Sequence, residues 1–298
     1  MRTYGGDALR ALARGRPGLR GGATLTSVSD ARETRSDPGS TDEATRFIAA
    51  ADRIAVLTGA GISTGSGIPD FRGPNGVWTT RPETMKLVHI EDYVRDPQVR
   101  VRAWRERMDH PAWIAQPNAG HAALADLERR GSLLALMTQN IDGLHQEAGS
   151  KKVLELHGTI WLARCLSCDR RTRMQEQLER VRAGDPDPAC TECGGIQKSA
   201  TIAFGEQLDP LVLETAVVAS SACDLFLAIG TSLSVQPAAS LAAEAHRRGA
   251  RLVIVNQGET SLDDRADVVL RDPIGEVLPR LVAASSTQRP GSDGSSSP

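Results

Sequence analysis

The chain of 298 residues is 40% hydrophobic and carries a formal net charge of −2. Length and hydrophobic content exclude wholesale disorder and allow one large domain with a small module. The near-neutral charge gives no electrostatic footprint for nucleic acid, and no 18-residue apolar run is present to cross a membrane as a helix.

Residues 1 to about 40 are mostly Gly, Arg, Ser, Thr and Pro, too poor in large apolar groups to offset the entropy of ordering, and are expected to be disordered. A first helix is expected from Ser40 or Thr41, with Phe47, Ile48 and Ala51 on one side. Residues 54–57 form an apolar, partly β-branched run suited to a buried parallel strand. It enters Thr58-Gly59-Ala60-Gly61-Ile62-Ser63, where small residues permit a tight turn and a close approach to a ligand. Gly59 and Gly61 fit the start of a dinucleotide fingerprint, but Thr64 stands where its third glycine belongs, and a plain tight turn remains the alternative. The segment Gly67-Ile68-Pro69-Asp70-Phe71-Arg72-Gly73 suits a loop that closes over a ligand.

Residues 74–97 read as a mobile lid with short helices, in which Trp78 and Tyr93 are anchors or channel walls, or packing alone. Residues 98–109 read as helical, and Asn118 caps a helix running to Arg130 with Leu124 and Leu127 inward. Residues 133–137 form a strand that delivers Thr138-Gln139-Asn140-Ile141-Asp142-Gly143-Leu144-His145 at its C-terminal end, the side on which open α/β sheets bind ligands. A short apolar stretch at residues 154–156 runs into His157-Gly158. Further strands are expected at residues 201–204, 223–229, 252–255 and 267–270, with helices at 237–248 and 274–282. Beyond Ala284 the Ser-, Gly- and Pro-rich tail is expected to be disordered. This alternation points to a doubly wound, parallel, Rossmann-like sheet interrupted by one small insertion at about residues 160–200.

Four of the five cysteines form two pairs, Cys165-x-x-Cys168 and Cys190-x-x-Cys193, with 21 residues between them. That is zinc-ribbon spacing: four thiolates close a tetrahedral shell, leave no place for water and define a structural site for one zinc per chain. Two disulfides or a redox pair are the alternatives. Free thiols of this kind suit a reducing, cytoplasmic setting. Cys223 reads as a small core residue. His157 is the candidate base, since an unperturbed imidazole can take a proton at neutral pH. His145 reads as structural, and His89, His110, His121 and His246 as surface or local.

GAGIS at residues 59–63 and GIPDFRG at 67–73 resemble the cofactor-binding segment of the sirtuins, the NAD-dependent protein lysine deacylases. The resemblance spans about residues 41–283, with every motif in order. It implies a sirtuin catalytic domain with a zinc-ribbon module and a cofactor lid, acting on acyl-lysine proteins and needing neither membrane nor nucleic acid. It assigns NAD to Gly59, Ala60, Gly61, Ile62, Ile68, Asp70, Phe71 and Arg72. Gln139, Asn140, Ile141 and Asp142 fall at the nicotinamide ribose, with Asp142 on the carboxamide and Asn140 ordering the catalytic site. Gly230, Thr231, Ser232, Asn256, Gln257, Gly258 and Ile274 fall at the adenosine half. Ala203, Phe204, Gly205, Glu206, Leu233 and Val235 would clamp an extended substrate peptide as an added strand.

In the reaction so implied, the acyl oxygen attacks C1′ of the nicotinamide ribose as nicotinamide leaves. His157 then helps deprotonate the ribose hydroxyl that completes the transfer, giving O-acyl-ADP-ribose. Members preferring acidic acyl chains carry Tyr-x-x-Arg; Trp104 and Arg107 stand at that spacing here, so a neutral acyl-lysine is expected to be preferred over succinyl-lysine. Protein ADP-ribosylation and a non-catalytic NAD-sensing binder are the rival readings.

Overall fold

The structure, a computed structural model, describes residues 36–288. Of the disorder expected for residues 1 to about 40 and beyond Ala284, residues 1–35 and 289–298 lie outside the described residues, while 38–40 open the first helix and 285–288 end the last. Asp37 precedes α1 (Pro38–Ala50), where Pro38 occupies the first turn that has no amide partner to lose. The chain then enters β1 (Ile54–Thr58). After the glycine turn come α2 (Val77–Thr80), α3 (Ile90–Arg95) and α4 (Pro97–Met108), which build the lid and its support. Asn118 caps α5 (Ala119–Arg129) in a reciprocal box with His121. Next are β2 (Leu133–Thr138), α6 (Leu144–Glu147) and β3 (Val153–Glu155).

The insertion contains β4 (Gly158–Cys165), β5 (Arg171–Arg173), α7 (Met174–Arg182) and β6 (Gln197–Thr201). The chain returns through α8 (Pro210–Ala222), β7 (Leu225–Ile229), α9 (Ala238–Arg247), β8 (Arg251–Val255), β9 (Val268–Leu270) and α10 (Ile274–Gln288).

Six strands form one parallel sheet in the order β3-β2-β1-β7-β8-β9. The order in which strands are added reverses between β1 and β7, the switch point at which doubly wound sheets open a crevice. Side chains along β1 alternate between two apolar layers. Ile54 and Val56 join Ile48, Leu124, Leu278 and Leu281 on one face, while Ala55 and Leu57 join Phe226, Leu241 and Leu252 on the other. Burial on both faces explains why these strands read as continuous apolar runs. The insertion forms a separate antiparallel sheet, β5-β4-β6, over a small core of Trp104, Ala163, Met174 and Leu178.

Besides the single turn α6, two longer helices escaped the sequence reading. Asp209 caps α8 by accepting from the amides of Leu211 and Val212, and Pro210 fills its first turn. Its residues are apolar on nearly every side, so no polar stripe marks it. Helix α7 lay within the insertion read only for its cysteines. The last helix also runs on to Gln288, past the expected end at Val282, because Ser285 is buried and Arg130 donates to the Val282 carbonyl.

Candidate active site

The floor of the site is where the turn after β1 meets the turn after β7. The Gly61 amide donates to the Gly230 carbonyl at 2.9 Å, and the Gly59 amide to Ile229 at 3.0 Å. A Cβ at Gly61 would lie 2.7 Å from Gly230 Cα, and one at Gly230, whose φ is +63°, would lie 2.4 Å from the Ile62 nitrogen. These glycines admit each other, a requirement the fingerprint does not state. Instead of a long helix, two short 3-10 turns follow, at Ala60–Ile62 and Thr64–Ser66. The amides of Gly59 and Gly61 are therefore engaged within the fold and not offered to a phosphate.

A buried polar network stands beside this floor. Ser63 Oγ donates to Asp142 Oδ2 at 2.7 Å and accepts from Asn140 Nδ2 at 3.0 Å. Asn140 Nδ2 also donates to the Gly59 carbonyl at 3.1 Å, and Asp142 Oδ1 accepts from the Leu144 amide at 3.0 Å. His121 closes the network, 3.4 Å from Ser63 Oγ and edge-on to His145, whose Nε2 lies 2.9 Å from Thr58 Oγ1. Both imidazoles are held neutral. Burial lowers the pKa of His121 to about 4 against the pull of Asp142, and that of His145 to about 3 with His121 adding to the effect. His121 was read as surface or local; it is wholly buried at the site. Its place three residues after the Asn118 cap was the available signal.

His157 lies at the end of the same row. Its Nδ1 is 3.0 Å from the Gln139 carbonyl, which only accepts, so Nδ1 carries the hydrogen and Nε2 keeps its lone pair. Burial lowers its pKa, partly opposed by that carbonyl. The backbone on either side is fixed, with Leu156 donating to Thr138 and the His157 carbonyl accepting from Ile202. A neutral, oriented imidazole can act as a general base.

On the other side of the switch point, Gln139 Nε2 donates to Thr231 Oγ1 at 2.8 Å, and Ser232 shares a hydroxyl bond with Ser234. The Asn256–Gly258 turn is braced from behind: Arg271 Nη1 donates to the carbonyls of Asn256 at 2.8 Å and Gly258 at 2.6 Å, and Nη2 pairs with Asp263. Gln257 is exposed. Ile62 and Ile274 close over Gly120 in the core, so neither presents a free side chain. Ile141 gives its carbonyl to Ile160.

The loop of Ile68, Asp70, Phe71 and Arg72 leads into the lid. Asp70 accepts from the Gly73 amide at 2.9 Å, while Phe71 and the Arg72 guanidinium approach the Trp78 ring at 4.7 and 4.8 Å. Trp78 in turn reaches Phe204, which stacks on His89 at 5.3 Å. Residues Val88 and Ile90 bond to both backbone groups of Phe204. Tyr93 anchors the lid to the module by donating to the Gln197 carbonyl at 2.8 Å.

Leu233 is buried, with its amide donating to Thr231 Oγ1 and its carbonyl accepting from Ser261 Oγ. Trp104 lies in the module core and is fully shielded. Arg107 donates to the Ala103 carbonyl and Ser199 Oγ and faces the module. A cavity of about 310 Å³ lined by Ile48, Leu127 and Arg130 is walled by Ser132, just before β2, and so lies at the opposite end of the strand from the polar row.

The four paired cysteines converge, their sulfurs within 4.8 Å of one another. Cys165 and Cys193 are 3.5 Å apart, Cys168 and Cys190 3.7 Å, and all are free thiols. A tetrahedral S₄ shell with metal–sulfur bonds of about 2.3 Å needs edges of about 3.8 Å, far from the roughly 2.05 Å of a disulfide. Cys223, outside this group, donates to the Ser220 carbonyl, and burial pushes its pKa up to about 11.

A crevice across the strand ends, a neutral imidazole at one end and a four-cysteine module beside it define a doubly wound α/β protein with an inserted ribbon whose cysteines are arranged to suit a metal. The chain belongs to the Sir2 family, which residues 59–237 match. It is 54% identical over 77% of its length to NAD-dependent protein deacetylase 2 of Streptomyces coelicolor, of which it covers 96%. Its identity to NAD-dependent protein deacetylase 1 of Pyrobaculum aerophilum is 43%, over 81% of this chain and 93% of that one. A solved Sir2 structure bound to an acetylated peptide superposes with a TM-score of 0.73 at 34% identity, over 83% of this chain and 98% of that one. A Sir2–p53 peptide–NAD+ complex gives 0.75 at 35%, over 83% and 99%.

Proposed function

We propose that the chain is an NAD-dependent protein lysine deacylase, with deacetylation as its default activity. The observation that carries this reading is His157, neutral and oriented by the Gln139 carbonyl, at the end of a polar row across four adjacent strands. Three strand spacings span about 14 Å, room for a ligand with two nucleoside halves. The donor set fits such a ligand, with amides and a carboxylate at β2 and hydroxyls and amides at β7 and β8.

NAD supplies the ribose to which the acyl group is transferred. The chain's residues bind and orient. Gly59, Ala60, Gly61 and Ile62 floor the centre, and Ile68, Asp70, Phe71 and Arg72 close over it. Asp142, with each carboxylate oxygen already accepting one bond, keeps lone pairs for a carboxamide. Asn140 holds the Gly59 turn and Ser63 in register, while Gln139 and Ile141 border the ribose. Gly230, Thr231 and Ser232 face the adenosine half with Asn256, Gln257 and Gly258, and Ile274 supports them from the core. His157 Nε2 takes the proton from a ribose hydroxyl.

The peptide lies between the segment Ala203, Phe204, Gly205 and Glu206 and the segment holding Val235. Most backbone groups there are engaged within the fold, and among the described residues Gly205 and Ser234 have neither amide nor carbonyl bonded. Strand addition is assigned to those two. Cys165, Cys168, Cys190 and Cys193 hold one structural zinc, and free thiols of this kind suit the cytoplasm.

The test is NAD-dependent turnover of acetyl-lysine peptides with mass analysis of products. Nicotinamide and deacetylated peptide in equal amounts are expected; an ADP-ribosylated protein with intact acyl-lysine would replace the deacylase reading by transferase chemistry.

A further inference from the structure

Behind Ala203, a cavity of about 40 Å³ lies between lid and module, walled by Val88, Tyr93, Arg107, Lys198, Thr201 and Ala203 among others. It can hold a group of one or two waters' size. Its charge is one-sided. Lys198 is 2% exposed, and its ammonium donates to Glu206 Oε2 at 2.7 Å and to the Thr201 carbonyl at 2.5 Å. Arg164 takes the other Glu206 oxygen at 2.8 Å. Asp169 also lies 3.8 Å from Arg164, so two carboxylates answer these two cations and leave none over.

Arg107 is the third cation, and among the described residues no carboxylate lies within ion-pair distance of it. Its terminal nitrogens donate to the Ala103 carbonyl and Ser199 Oγ, and its Nε is shut off from solvent without a partner. Tyr93 cannot supply the charge, because its hydroxyl donates to Gln197 and burial raises its pKa further. Asp187, which faces Tyr93, is already held by Arg100 at 2.7 Å. A guanidinium stays charged in a protein, and this one, half-buried with its Nε shielded, lacks the counter-charge that would stabilise it.

We propose that this cavity binds a small monoanion of halide or formate size, with Arg107 as its counter-charge. The occupant is a free ion, because the volume takes an ion without the methylene chain that a substrate-linked carboxylate would bring. Thr201 and Ala203 lead into the peptide arm, so the ion stiffens the surface on which the acyl-peptide rests. That consequence, unlike the site itself, rests on the deacylase reading.

The full-length protein, titrated with chloride against gluconate at constant ionic strength, should show a saturable rise of a few degrees in Tm. Arg107→Met should lose the rise and Arg107→Lys keep part of it. Crystals soaked in bromide should give an anomalous peak beside the Arg107 guanidinium, which decides the matter even if Arg107→Met fails to fold. With acetyl-peptide, chloride should lower the peptide KM severalfold and leave the KM for NAD unchanged. Equal chloride responses in wild type and Arg107→Met, or no bromide at the cavity, would overturn the site. Succinyl-peptide turned over in preference to acetyl-peptide and competing with chloride would place an acyl carboxylate there and overturn the free ion. Absence of any turnover would count against the deacylase reading alone, with Tm and bromide still judging the anion.

Discussion

The parallel sheet and the inserted module are held by different forces. The sheet carries two large apolar layers, and each strand between them is buried on both faces. The module's own cluster has four buried members, one of them Trp104 borrowed from α4, and its turns are joined by sulfurs 3.5 to 3.7 Å apart. A unit with so small a core needs a metal or other cross-link to stay folded. The polar row therefore sits on the part that folds by burial, while residues 203–206 follow the part whose turns meet at the cysteines.

Removing the base should leave both parts standing. His157→Ala is expected to lower acetyl-peptide turnover by about three orders of magnitude with Tm and NAD affinity preserved; a folded variant at wild-type rate would remove His157 from the mechanism. Loss of one thiolate should separate the two regions. Cys165→Ala, or chelation of wild type, is expected to release one zinc per chain and melt the module while the far-UV signal of the sheet persists, as metal analysis and calorimetry would report. A protein that held no zinc yet kept a native module would show that the small core suffices.

The reverse injury falls on the sheet. Phe226→Ala empties a wholly buried site and should cost about 3–5 kcal/mol in denaturant unfolding, with the metal still bound until the sheet unfolds. Acid should sharpen the division more gently. His121 and His145 bind their protons at about 4 and 3 when folded, but near 6.5 when unfolded. Between those values the unfolded chain binds more protons, so stability is full above about 6.5 and declines as pH falls toward 4. His145→Gln should flatten that slope in Tm against pH. An unchanged slope would assign the acid sensitivity elsewhere.

Patterns with a fixed spacing or period were legible in the sequence, and matters of tertiary position were not. The cysteine quartet needed only its spacing, and β1, β7 and β8 announced themselves as apolar runs. Helix α8 did not, because its residues are apolar almost all round and a period cannot be read from a uniform stretch. The burial of His121 was hidden for another reason: its partners Ser63 and His145 lie 58 and 24 positions away, and nothing local records that they meet. The bonds that Leu233 makes within its own turn were hidden too, since a motif fixes an order of residues but not which backbone groups the fold has already used. The packing of Trp104 into the module core was likewise hidden, because three residues apart on one helix says that side chains are neighbours and not what they face.

The three-way contact of Gly59, Gly61 and Gly230 sets a limit on redesign. Any side chain there, even a methyl, would drive a wedge between two turns whose backbones already touch. The floor is closed to engineering, and a variant library spread over it would return mostly misfolded chains. The rim is different: Phe71, Arg72 and Gln257 are exposed and their side chains can be exchanged without moving a strand. A change of nucleotide preference in this scaffold has to be sought at that edge.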